Sequence, residues 1–252
     1  MRRLRRPALS AGAADFLAKR TAVVAKAAKA AKRAKAAEAA AEEVKRLWGQ
    51  KANKAFDEIR QTLASMASGR DRCMYCEDNQ GTGIDHFRPK AHYPFDAFSW
   101  PNYLLACSSC NSNDKRDQFP LDAKGKPLLI DPTAEDPLRH LALTTKTGEL
   151  VSRTRKGRKS IEVFGLDRQL LNDGRRAAWL TIERHIVWYA QCRRLGRNRE
   201  ARVVEWLIRK ESFSSVLSHL VRMASTPDEA KSIRPECRRA LRQCREILTW
   251  VS

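Results

Sequence analysis

The chain has 252 residues, of which 49 are Lys or Arg and 29 Asp or Glu, for a formal net charge of +20. A mean hydropathy of −0.56 and the lack of any apolar run approaching about 18 residues exclude a membrane-spanning helix, and 42% hydrophobic residues argue against a wholly disordered chain. The charge makes a polyanion, either nucleic acid or an acidic membrane surface, the expected partner class and says nothing about fold.

Met1 to Arg6 is basic, but no apolar stretch of signal-peptide length follows it. A cytoplasmic, reducing location is therefore expected. Ala22 to Ala41 holds twelve alanines with Lys26, Lys29, Lys32, Arg33 and Lys35 among them, which predicts a helix. With little large apolar surface to bury, it reads equally as a solvated helix or as an arm facing nucleic acid. Phe56, Ile59, Leu63 and Met66 then mark an amphipathic helix running into Ser68-Gly69. Residues 70–120 are rich in Gly, Pro, Asp and Asn, with short apolar stretches. Such a segment cannot hold itself together by burial alone and needs a staple. Pro127, Pro132 and Pro137 precede an expected hairpin over Leu141–Val151, turning at Lys146-Thr147-Gly148.

From Arg168 onward the pattern is helical, with stripes at Trp179, Ile182, Ile186 and Tyr189 and at Phe213, Val216, Leu217 and Leu220. Thr226-Pro227-Asp228-Glu229 reads as a capping box. Cys192, Cys237 and Cys244 sit on apolar helix faces and are expected in the core. The fold class is α+β and mostly α-helical. Three regions result: a basic Ala/Lys-rich helical arm over 1–69, a small core over 70–125, and a Pro-rich strip, hairpin and basic helical domain over 126–252. Net charge is +10 over residues 1–60, −1 over 61–125 and +11 over 126–252, so the basic character flanks a near-neutral centre.

That centre carries the chemistry. Cys73-Met-Tyr-Cys76 and Cys107-Ser-Ser-Cys110 are two CxxC turns that can present four thiolates to one ion as a closed, structural zinc site. A redox CxxC pair is the alternative, but zinc also answers the folding problem of this loop-rich stretch. Between the pairs lie Asp85, a hard oxygen ligand suited to Mg²⁺ or Mn²⁺, and His86, a candidate general base. On a regular strand these two would point to opposite faces. Arg88, Lys90 and Lys115 are candidate phosphate contacts. His92, His140, His185 and His219 lie outside the motif and are read as structural.

In order, Cys73 and Cys76, Asp85-His86, Asn102, Cys107 and Cys110, and Asn111 resemble the zinc-stapled HNH (His-Me finger, ββα-metal) endonucleases. Tyr75-Cys76-Glu77, His86-Phe87-Arg88-Pro89-Lys90, Phe119-Pro120 and Gly165-Leu166-Asp167 look like the branch that includes the HNH effectors of Septu-type and retron-associated anti-phage defence, which act beside an ATPase. The resemblance implies a ββα-metal core inserted between the arm and the C-terminal helices, with His86 as general base. It further implies Asp85 and Asn111 as holders of one Mg²⁺ or Mn²⁺, Asn102 as an orienting residue, and structural Zn²⁺ on the four cysteines. Asn111 makes the motif an HNN variant. The expected function is metal-dependent cleavage of nucleic acid, DNA before RNA or tRNA, under a partner ATPase. The alternative is a non-catalytic zinc module that binds nucleic acid or docks on the ATPase.

Overall fold

A computed structural model describes residues 1–50, 53–69 and 71–251; Arg70, the expected first residue of the core, lies outside them. The Ala-rich stretch does not form one helix. It breaks at Ala31–Lys35 into α1 (Ala11–Ala30) and α2 (Ala36–Trp48). The reason is packing: the break lets α2 fold back on α1, burying Leu17, Val24 and Ala28 with Ala40, Val44 and Leu47. Arg20 of α1 is buried and donates to Leu47 O and, at 2.9 Å, to Gln50 O, satisfying carbonyls at the C-terminal end of α2. The expected amphipathic helix is α3 (Lys54–Met66), started by Asn53, whose side chain accepts from Phe56 N at 3.2 Å.

Two short strands follow, β1 (Gly83–His86) and β2 (Tyr103–Ala106), paired antiparallel with Asp85 opposite Leu104 and His86 opposite Tyr103. They lead into a π-helical segment, Ser109–Lys115, where Arg116 N bonds to Asn111 O at 2.7 Å. This is a strand–strand–helix unit. A second hairpin, β3 (Leu141–Leu143) and β4 (Leu150–Ser152), turns where expected. Gly148 has φ +75°, and a Cβ there would lie 1.9 Å from Asn172 O, so only glycine fits.

The remainder is α4 (Arg155–Val163), α5 (Gln169–Arg194), α6 (Asn198–Lys210), α7 (Ser215–Ala224), α8 (Pro227–Ala230) and α9 (Pro235–Gln243). The molecule is thus mostly helical with two small two-stranded sheets. The long helix α5 packs against α6, α7 and α9 and buries Trp179, Ile182, Ile186 and Tyr189. Cys192, Cys237 and Cys244 are buried as expected. The capping box at Thr226 does not form. Its hydroxyl makes no cap bond, α8 lasts one turn, and Glu229 instead meets Arg153 at 3.5 Å. No helix of the described residues is long and apolar enough to cross a membrane.

One continuous set of buried side chains joins all three regions, from Val24 and Phe56 through Tyr103 and Leu129 to Phe164, Ile186 and Ile247. The seam between the small unit and the C-terminal helices is specific. Tyr75 stacks on Phe164 with centroids 4.0 Å apart. The next residue, Gly165, takes φ +56°, and a Cβ there would come within 2.7 Å of Asp114 Oδ2, so a larger residue would push the turn off the π-helical segment.

Candidate active site

Cys73, Cys76, Cys107 and Cys110 are all buried, and their sulfurs lie within 4.8 Å of one another. Among the described residues this is the one cluster of three or more His, Cys, Asp or Glu able to hold a metal. The β1–β2 pairing brings the two turns together, helped by Met74 N donating to Leu105 O at 2.8 Å and Cys73 N to Asn79 O at 2.8 Å. Mutual hydrogen bonding among the thiols holds Cys107 far below its ordinary pKa and drives Cys110 above it. Arg168 donates to Cys110 Sγ at 3.3 Å and to Asp114 Oδ2 at 2.7 Å, supplying positive charge beside the sulfurs. Four buried sulfurs with an outer-sphere cation are a donor set that fits a closed zinc site.

On the other side of the same unit, Asp85, His86 and Asn111 line one cavity of about 440 Å³. Strand alternation does not keep the two apart: β1 ends at His86, and both residues line the cavity. His86 is 4% exposed, and its Nε2 lies 2.9 Å from Ala97 O. A carbonyl can only accept, so Nε2 carries the proton and, in the neutral ring, Nδ1 carries the lone pair. Asp85 is 3% exposed and accepts from Tyr75 Oη at 2.5 Å and from Lys115 Nζ at 3.1 Å. Burial pushes the Asp85 pKa up, and Lys115 and Tyr75 pull it back without cancelling the rise.

Asn102 lies outside this cavity but organises it. Its side chain accepts from Arg88 N at 2.7 Å and donates to Arg88 O at 3.1 Å and Asp96 O at 3.0 Å. It thereby pins both ends of the 88–96 loop. The next carbonyl, Ala97 O, receives His86 and also Tyr103 Oη at 2.8 Å. One amide therefore positions the acceptor that fixes the imidazole.

The three expected phosphate contacts fare differently. Lys90 lines the cavity, with Nζ 5.8 Å from the Trp48 ring centroid. Arg88 is exposed on another face, 3.4 Å from Asp96, and lines a separate cavity with Asn102. Lys115 is no surface cation: it is 0% exposed, held by Asp85 and by His86 O at 2.7 Å. The π-helical turn explains this, since i→i+5 winding puts Lys115 on the inward face with Cys110. Of the histidines, His92 is exposed near Asp117, His140 bonds Thr154 and Glu135, and burial holds the His219 pKa down at about 3.

Several site residues had no signal in the motif. Helix α2 forms the opposite wall through Ala41, Glu42, Val44 and Lys45, and Arg116 adds a cation. Trp48 packs on His86 with ring centroids 4.4 Å apart. Trp48 was the available clue, being the lone aromatic in an Ala, Lys and Glu helix.

No protein-family profile matches the chain, and neither does any solved structure. Among curated proteins it is similar to the Septu protein PtuB of Bacillus mycoides (strain KBAB4), 31% identical over 157 residues covering 50% of this chain and 52% of that protein. It is also similar to Protein ea31 of Escherichia phage lambda, 36% identical over 58 residues covering 23% of this chain and 20% of that protein. The match thus spans about half the Septu protein and a smaller share of the phage protein, and with the four-cysteine cluster it fits a Septu-like, zinc-stapled protein.

Proposed function

We propose that this chain is a metal-dependent HNH endonuclease, the nuclease effector of an anti-phage defence system controlled by a partner ATPase. The observation that carries the catalytic half is the fixed tautomer of His86 beside Asp85 and Asn111 on one cavity wall. The likeness to a Septu protein carries the defence half and suggests a complex.

The donors fit a catalytic divalent ion. A carboxylate and an amide oxygen form an all-oxygen pair, and each Asp85 oxygen retains acceptor capacity beyond its bonds to Tyr75 and Lys115. Mg²⁺ or Mn²⁺ held by Asp85 and Asn111 would supply the positive charge that stabilises the phosphate as it gains negative charge. The protein's own groups do the rest. Nδ1 of His86 takes a proton from water, whose oxygen attacks phosphorus while the bond to the leaving sugar oxygen breaks. As the ring becomes imidazolium, its Nε2–H bond to Ala97 O turns charge-assisted and strengthens. Lys90 and Arg116 offer phosphate contacts at the cavity wall. The four-cysteine site has no open position and takes no part in the chemistry.

The test is incubation with plasmid, single-stranded DNA and tRNA in Mg²⁺ or Mn²⁺, with and without a candidate partner ATPase. Cleavage by the wild type, and cleavage about 10²–10⁴-fold slower by His86→Ala, is expected. Cleavage undiminished in His86→Ala removes the assignment and leaves a zinc-dependent binding subunit.

A further inference from the structure

The nuclease reading leaves the substrate class open, and the cavity narrows it. Asp85 and His86 lie at the foot of a cleft rather than on a convex surface. One wall is the strand–strand–helix unit, through Ile84, Pro89, Lys90 and Asn111, and the other is α2. Its volume, about 440 Å³, falls in the range of pockets that enclose a small ligand.

The α2 wall is built in. The carbonyls at its C-terminal end are held by Arg20, whose guanidinium lies over Phe16 at 4.6 Å, Phe98 at 5.5 Å and Phe56 at 5.8 Å. Trp48 meets Phe56 edge-on at 5.4 Å and packs against Phe98 and Tyr103. These contacts tie the wall to the same core that carries His86.

A phosphate of paired DNA sits on a stiff double helix with its second strand alongside. His86 is 4% exposed, and the space of about 440 Å³ beside α2 has no room for a second strand to follow that phosphate in. An unpaired strand rotates about its backbone bonds and can thread a narrow cleft one nucleotide at a time. Cations lie on both sides of that path, Lys45 on the α2 wall and Lys90 and Arg116 on the other, interspersed with Glu42 and Asp117.

We propose that the substrate is an unpaired nucleic-acid strand, threaded between α2 and the strand–strand–helix unit. The proposal rests on the nuclease reading for its chemistry, but strand preference has its own readout. Wild-type protein in Mn²⁺ is given a labelled oligodeoxynucleotide, the ribonucleotide of the same sequence, and the fully paired duplex. Binding of the same three to His86→Ala is measured by fluorescence anisotropy, and both measurements are repeated with Ala41→Trp, which fills the cleft from the α2 side.

Cleavage and binding of at least one unpaired strand should exceed those of the duplex by about tenfold, and Ala41→Trp should erase the difference while zinc content is kept. The two unpaired arms assign the sugar. Duplex cut or bound as well as either strand, or a preference untouched by Ala41→Trp, overturns the proposal. A tenfold binding preference without any cleavage, with or without the candidate partner ATPase, removes the nuclease reading and leaves the threading groove.

Discussion

The small central unit holds two polar clusters back to back, and they are built oppositely. The four cysteines are sealed: every sulfur faces another sulfur, and Arg168 closes the outside. Asp85 and His86 are just as well supported, by Tyr75, Lys115, Ala97 O and the Asn102-pinned loop, yet with Asn111 they border a cavity. The four cysteines, Asp85 and His86 are all deeply buried, so burial alone does not separate the two clusters. Access does. A metal in the first can only hold the fold, whereas one beside the second can meet a substrate.

The contrast breaks most visibly at the staple. Cys110→Ser, or a strong chelator, should unfold the 73–115 unit and expose Asp85 and His86 together. Structural zinc contributes about 10–16 kcal/mol apparent in small zinc-binding peptides, more than a small domain's whole stability. Zinc stoichiometry and thermal melting check this, and a chelated protein that melts unchanged would sink the staple reading. His86→Ala should act on the other cluster alone. Cleavage is expected to fall about 10²–10⁴-fold, the usual contribution of a positioned base, with zinc content and melting temperature retained.

How far the sequence reached follows the same divide. The staple was legible because CxxC turns constrain sulfur positions locally, and β1, β2 and the hairpin at Gly148 follow from equally local signals. Asp85, His86 and Asn111 were legible as a motif, whereas the convergence of Asp85 and His86 on one cavity runs against regular strand alternation and depends on β1 ending at His86. What stayed hidden depends on contacts between distant segments. The break at Ala31–Lys35 is set by α2 packing on α1, not by propensity, because alanine and lysine favour helix throughout. Without that break, Trp48 cannot reach His86. Lys115 read as a surface cation because its inward turn depends on π-helical winding, which has no residue signature here.

Lys115 also sharpens the comparison, because it serves the open cluster as Arg168 serves the closed one. Lys115→Met leaves Asp85 buried without its cation, a change that typically destabilises by about 3–5 kcal/mol. Arg168 is about one-third exposed, so Arg168→Met should be milder in melting. Denaturant unfolding of the two variants decides it, and equal losses would contradict the difference in burial. A pH effect should arise at His219, a member of neither cluster. His219 is buried neutral near the Met1 ammonium, with its pKa lowered to about 3. Its unfolded form takes up a proton near its ordinary pKa of about 6.5 while the folded form does not, so stability falls as pH drops below that value. Between about pH 6.5 and 5 the loss should be about 1.6 kcal/mol, and His219→Phe should flatten that slope in melting experiments.

The smallest effect tests the cleft itself. Arg88 and Lys90 are two residues apart and carry the same charge, yet Lys90 lines the cavity with His86 whereas Arg88 faces Asp96 on another surface. Phosphate contacts act mainly through charge and counterion release, so removing one should weaken binding evenly across sequences and lower the salt slope by about one unit. Lys90→Ala should do this, while Arg88→Ala should leave affinity and salt slope within error. Anisotropy titrations of an unpaired oligonucleotide across a salt series read both quantities. Equal losses from the two variants would mean that substrate spreads over the outer face of the loop, and α2 would then be no boundary. A loss confined to Lys90 ties the path to the cleft, since the chain's basic character is so general that only a difference between neighbouring cations reports where the strand lies.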